Sequence, residues 1–397
     1  MKLSNTALNI EPSPTFSYIA KVKQIKERGI EVFTFLAGEP DFKTTQRICE
    51  AAIWAMKSGH TGYTVATGIP ELKAAICKRF KKNQGVHYDP DQVVVSCGAK
   101  HSLYLAFLSL LDRGDEVVVP APYWVTYPEQ IRLAGGVPIF VECKPENGFI
   151  LKPEDLRKAI SRRTKAVIIN SPNNPTGVVY SREDLAAIMD ICQEFHLAAI
   201  CDDIYEKLIY DGVKFTSMIE LGEHAVDRCV VINGVSKAYS MTGWRIGYLA
   251  GPKDFVKIVG CMQGQMTSNA SSISQWAALE ALSGNQSGVE HRRQVFQRRR
   301  DLMMDLIKGI DGIKCHVPHG AFYAFIDIRE LFGKVHKGTI INSDIDFADF
   351  LLDEGRVAVV PGTFFGAPGF IRMSFATSKE MMRKGFEKMG ETIAKLR

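Results

Sequence analysis

Lys237 closes the run Val231-Ile232-Asn233-Gly234-Val235-Ser236-Lys237, and Arg245 follows eight residues later within Gly243-Trp244-Arg245-Ile246-Gly247. A lysine just past an apolar run is most often a surface residue, but here small residues surround it. Partial desolvation depresses a lysine's pKa and frees its amine for Schiff-base chemistry, while a guanidinium is suited to clamp a phosphate. Together the two residues suit a phosphate-bearing aldehyde. Cys97-Gly98-Ala99-Lys100 joins an apolar run to a helical pattern, and small residues that open a helix present free N–H groups to an anion. Arg372, inside Phe370-Ile371-Arg372-Met373-Ser374, is a cation on a hydrophobic strand. Such a charge is costly unless paired, so a ligand-binding role is expected of it.

Other clusters are weaker by themselves. Asn174-Pro175-Thr176-Gly177 is a turn signal. Asp202 and Asp203 follow a third apolar run, and Asp203 is expected to open a helix. Trp124, after Pro122-Tyr123, is by composition alone a core residue. The pair His316 and His319 does not suggest a metal site.

The elements that must position these groups are legible as a repeating theme. Short β-branched runs at Val93–Cys97, Glu116–Val119, Val137–Val141, Ala166–Asn170, Ala198–Asp202, Cys229–Asn233 and Ile246–Ala250 alternate with helical periodicity. Their nearly continuous hydrophobicity predicts strands buried on both faces, hence an α/β fold with a mainly parallel sheet between helices. Such sheets place ligands at the carboxyl ends of strands, where Lys237, Asp202, Asn174 and Gly98 all fall. After a long polar helix near residues 289–309, strands at Phe322–Ile328, Val357–Val360 and Phe370–Phe375 predict a smaller α+β layer. The helix at Tyr18–Arg28 and the extended Val32–Leu36 are expected to join it. The expected division is a large domain over 40–288 and a small domain made of 1–39 with 289–397.

Composition narrows the function. The chain has 397 residues, 46% hydrophobic, with a formal net charge of +5 and scattered basic residues. Its densest basic cluster, Arg298-Arg299-Arg300, reads as a solvated helix face, and neither nucleic acid nor membrane is expected as a partner. Nine cysteines without a Cys-x-x-Cys pair do not form a disulfide framework and point to a reduced, cytoplasmic setting. The start of the chain lacks the apolar core of a signal peptide, and Leu103–Leu111 is too short to span a bilayer.

Taken in order, these motifs resemble class I aminotransferases of the aspartate aminotransferase fold (fold type I), over nearly the whole chain from about Pro12 to the final helix. The resemblance implies pyridoxal 5′-phosphate as cofactor, held by Lys237 as a Schiff base. By the same match, Asp202 pairs with the pyridine nitrogen, Tyr205 and Asn174 reach the 3′ oxygen, and Trp124 stacks on the ring. Gly98, Ala99, Lys100 and Arg245 surround the phosphate. Tyr63, in Gly62-Tyr63-Thr64, matches a tyrosine given to the neighbouring subunit's phosphate site, which implies a homodimer with shared active sites. Arg372, Gly38 and Asn174 match the site for the substrate α-carboxylate. The implied reaction moves an amino group between an amino acid and a 2-oxo acid, with Lys237 as the base at Cα. One departure stands out: Gly234 occupies a position where the family often has a hydroxyl.

Within the family, Gly-x-Lys and Pro-Ser-x-Thr are similar to the prokaryotic-type aspartate aminotransferases. There Lys100 would reach the distal carboxylate, with Thr15 at the second matching position. That implies aspartate with 2-oxoglutarate. Some relatives also use prephenate, and in part of that group a lysine precedes Pro-Ser where this chain has Glu11. The rival classes are a β-lyase acting on sulfur amino acids, with less need for Lys100, and a non-enzymatic regulator, which would need an added DNA-binding domain.

Overall fold

The computed structural model describes residues 1–8, 10 and 14–397, without the side chains of residues 5, 6 and 14–16. Glu11 and Pro12 therefore lie outside the described residues.

Seven strands form the large sheet: β1 (Val93–Ser96), β2 (Glu116–Ala121), β3 (Val137–Glu142), β4 (Thr164–Asn170), β5 (Ala198–Asp202), β6 (Cys229–Gly234) and β7 (Gly247–Ala250). Their spatial order is β1-β7-β6-β5-β4-β2-β3. Only β7 runs against its neighbours, so the other six point their carboxyl ends to one edge. Each of the seven apolar runs became one of these strands, but the expected burial on both faces fails for β3, a sheet-edge strand on which Val137 and Phe140 are exposed. For the others the physical reason shows in the packing. Val94, Val117, Val119, Ile168, Ile200 and Ile232 face one helical layer, with Leu103 and Phe107. The alternate residues Val95, Val118, Val167, Ile169, Cys201 and Val231 face the other. A strand covered on both faces has no solvent side on which to place polar residues.

The smaller layer contains β8 (Lys314–Cys315), β9 (Tyr323–Asp327), β10 (Val360–Pro361) and β11 (Phe370–Ser374), all antiparallel in the order β10-β11-β9-β8. Phe33–Thr34 pairs in parallel with Val357–Ala358, which ties the opening segment to this layer. The opening helix spans Pro14–Glu27.

Two local expectations fail. Arg299 and Arg300 do not belong to a solvated face. Although both lie on helix Ser287–Lys308, both are buried, and Arg300 is only 2% exposed. Arg299 grips Asp41 through two bonds of 2.7 and 2.8 Å, and Arg300 grips Asp211 at 2.6 and 2.7 Å. Both partners are distant in sequence, so local composition could not reveal them. Asp203 opens no helix either; residues 204–207 form a turn, and the buried Asp203 carboxylate accepts the Ser217 hydroxyl at 2.7 Å. All nine cysteines are free thiols, with Cys143, Cys192, Cys201 and Cys229 buried. No helix among the described residues is long and apolar enough to cross a membrane.

Candidate active site

A cavity of about 400 Å³ lies where the carboxyl edge of the large sheet meets β9 and β11. Gly38, Ala99, Lys100, Trp124, Asn174, Asp202, Tyr205, Lys237, Arg245 and Arg372 all line it. Gly98 stands directly behind Arg245. Gly98 and Tyr63 are not part of the lining, and nothing places the Thr15 side chain. Tyr63 is 93% exposed on the outside of the molecule. Thr15 lies on the opening helix, and its side chain is outside the described residues.

Lys237 stands in the turn after β6, and its amine donates to the Gly38 carbonyl at 2.6 Å. Loss of water around the amine pushes its pKa down to about 8, opposed by Glu39 and reinforced by Arg372 and Arg245. Near neutrality a useful fraction is therefore neutral and able to accept a proton. Asp202, the last residue of β5, is buried, and this pushes its carboxyl up to about 6. Tyr127 counters the shift by donating its hydroxyl to Asp202 Oδ2 at 2.7 Å. Asn170, at the end of β4, donates to the Asp202 backbone carbonyl at 2.9 Å and accepts the Asn174 N–H at 2.9 Å. The Asn174 loop and the Asp202 strand end are thus one hydrogen-bonded unit.

One end of the cavity is built for a phosphate-like anion. Helix Ala99–Leu110 points its N-terminus there, and Arg245 lies so close that a Cβ on Gly98 would sit 2.3 Å from Arg245 Nη2. Gly98 also has φ +89, so glycine suits that position on both counts. Gly234 is also closely packed: a side chain there would come within 3.0 Å of Gly247 on β7. A hydroxyl side chain there would require the strand pair to give slightly, and Ser236 lines the cavity. Lys100 places its ammonium 4.9 Å from the centre of the Trp124 ring. Partial burial, and then Arg245, lower the Lys100 pKa.

The other end is built for a carboxylate. Arg372 is 3% exposed and lies between the rings of Tyr323 and Phe365, 4.5 and 4.9 Å from their centres. It donates to Asn174 Oδ1 at 3.0 Å and to the Leu36 carbonyl at 3.1 Å, while its buried Nε has no partner. No carboxylate pairs with Arg372 or Lys100 among the described residues. A buried guanidinium in that state is poised for an anion. Tyr205 shares a 2.9 Å hydrogen bond with Tyr323, so β9 also reaches the cavity.

Reading the sequence missed Tyr127, Asn170, Ser236, Thr242, Tyr323 and Ile19, all of which line the cavity. Only Asn170 and Ser236 carried a signal, as polar residues at strand ends.

An edge-opening parallel sheet with a turn-borne lysine, a buried carboxylate and anion sites at both ends defines a class of group-transfer enzyme, and comparison supplies the family. Residues 30–389 match the family model of class I and II aminotransferases, and the chain belongs to that family. It is 47% identical over 389 residues to the aspartate aminotransferase of Geobacillus stearothermophilus, covering 98% of each chain. It is 44% identical over 396 residues to a probable aspartate/prephenate aminotransferase of Rickettsia conorii, covering 99% of each. The crystal structure of the aspartate aminotransferase of Rhizobium meliloti superposes with a TM-score of 0.97 at 40% identity, covering 100% of each chain.

Proposed function

We propose that this protein is a pyridoxal 5′-phosphate-dependent aminotransferase converting L-aspartate and 2-oxoglutarate to oxaloacetate and L-glutamate. The observation that carries the reading is the pair of cavity cations, Lys100 and Arg372, that lack carboxylate partners. A dicarboxylic amino acid supplies one carboxylate to each.

The cofactor fits the residues present. The cradle that a Cβ on Gly98 would fill suits its phosphate, with Arg245, Ser236, Ala99 and the helix N-terminus as donors. When bound, it supplies an aldehyde for the amino group and a ring that withdraws electrons from Cα. Trp124 would cover the ring, Asp202 would face its nitrogen, and Tyr205 and Asn174 would meet its 3′ oxygen. Arg372, with Gly38 and Asn174 beside it, binds the substrate α-carboxylate and orients Cα toward Lys237. The Lys237 amine moves the proton at Cα, a task matched to a pKa of about 8. Thr15 is proposed as a second contact for the distal carboxylate.

Exposed apolar side chains at Trp54, Tyr63, Val65 and Ile258 support a homodimer in which Tyr63 completes the neighbouring site. We also propose a large domain over 40–288 against a small one of 1–39 with 289–397, and a cytoplasmic setting consistent with nine free thiols.

A panel of single half-reactions tests the function, with aspartate, glutamate, aromatic amino acids and arogenate offered in turn. Aspartate and glutamate should convert the cofactor fastest. Comparable turnover of arogenate would extend the activity to prephenate, as the name of the Rickettsia relative suggests. Release of pyruvate, ammonia and a thiol from added cystathionine, without keto-acid exchange, would replace the reading with that of a β-lyase.

A further inference from the structure

Behind the cavity, outside its lining, one guanidinium joins the two turns that carry Tyr205 and Lys237. Arg79 lies on helix Pro70–Gln84. Its Nη2 pairs with Glu206 Oε1 at 3.0 Å, and its Nη1 donates to the Tyr239 hydroxyl. Glu206 is the residue after Tyr205, and Tyr239 lies two residues past Lys237. The network is closed at both ends. Gln84 donates to Glu206 Oε2 at 2.8 Å, and the Tyr239 hydroxyl donates to Gln286 Oε1 at 2.7 Å. The side chains of Arg79 and Glu206 are 13% and 6% exposed, and Tyr239 is 3% exposed.

The arrangement matters because neither turn belongs to a helix or strand. The Lys237 turn includes Ser240 at φ +54, a conformation that needs outside support. The Lys237 amine lies 6.0 Å from the centre of the Tyr205 ring, a long cation–π separation, and among the described residues no direct hydrogen bond joins the two turns. A planar guanidinium fixes two acceptors in one geometry, which a lysine ammonium at the same place does not. Misplacing a reacting group by about 1 Å costs on the order of 100-fold in rate.

We propose that Arg79 and Tyr239 are positioning residues, which set where the Lys237 amine stands relative to Tyr205. The inference rests on the reading of Lys237 as the reactive lysine. Neither residue touches the cavity; each acts through the turn it holds.

Tyr239→Phe removes one hydroxyl and keeps the ring, while Arg79→Lys keeps a cation beside Glu206 but loses the fork. Each variant is compared with wild type in three measurements: thermal midpoint, kcat and KM for aspartate, and acetylation of Lys237 in the cofactor-free protein. Competitive labelling with acetic anhydride, read by mass spectrometry against exposed Lys308, provides the last. Positioning predicts kcat lower by roughly 5- to 50-fold with KM within about twofold, and a Lys237 labelling rate altered at least about threefold. The double variant should be little worse than the more impaired single one, because both break one linkage. If either variant folds at a lower midpoint but keeps kcat and Lys237 labelling within about twofold of wild type, the linkage is only structural and the inference fails. If Tyr239→Phe does not fold, Arg79→Lys decides by the same criteria. Borohydride trapping of the cofactor on another lysine of the wild type would sink the reading of Lys237 itself, a result distinct from either.

Discussion

The Tyr127 hydroxyl donates to Asp202 Oδ2 at 2.7 Å beneath the cavity, and both residues are almost wholly buried. A carboxylate so placed opposes folding in its charged form, and the tyrosine offsets only part of that cost. The protein thus holds a group that stability alone would not select.

Asp202→Asn should expose this conflict. The carboxyl titrates near 6 in the folded protein against an ordinary 3.8, so folding is favoured by its proton below 3.8 and loses that contribution as pH rises through 6. In the cofactor-free protein at pH 8, the variant should be more stable than wild type by up to about 3 kcal/mol, reduced by the loss of one acceptor oxygen. The advantage should disappear toward pH 4. Denaturant unfolding at several pH values checks this. Turnover should fall by roughly 100-fold or more if Asp202 is, as proposed, the anionic partner of the cofactor's ring nitrogen. A variant destabilised at pH 8 would contradict the argument.

Lys237→Ala should bind the cofactor without a covalent link and lose nearly all turnover. In the wild-type apoprotein, the acylation rate of Lys237 should rise with an apparent pKa near 8 rather than near 10.5. Labelling across pH 6–11, followed peptide by peptide, provides the measurement.

Tyr63 is nearly bare in the single chain, so its place in a neighbouring site can be tested by complementation. Lys237→Ala and Tyr63→Ala, each impaired, are mixed under conditions that exchange subunits. A mixed dimer should regain activity at the one site that keeps both wild-type residues. Mixed dimers that demonstrably form but stay inactive would return Tyr63 to its own chain or to no role.

Lys100→Ser tests the choice of substrate. Lys100 faces an open cavity, where its charge is screened, but a bound substrate would exclude that water. Removing one member of a desolvated charge pair costs roughly 2–5 kcal/mol, so kcat/KM for aspartate should fall by roughly 30- to several-thousand-fold. Alanine and phenylalanine should lose much less. Equal losses for aspartate and phenylalanine, with cofactor affinity reduced in parallel, would assign Lys100 to the phosphate instead.

The sequence by itself determined the seven strands, the burial of all but the edge strand β3, and the edge at which the chemistry collects. Those properties depend on local hydrophobic runs, and a strand buried on both faces writes itself continuously into the chain. It also singled out Lys237, Arg245, Asp202 and Arg372, because motifs keep their spacing along the chain. Only the tertiary structure decided which polar groups answer one another across long separations. Tyr127 finds Asp202, and Arg79 joins Glu206 to Tyr239. Arg299 and Arg300 make the same point in reverse. Their composition suggests a wet helix face, yet Asp41 and Asp211 draw both inward. A charge can be buried wherever a partner meets it, and partners brought together by folding leave no periodicity to read.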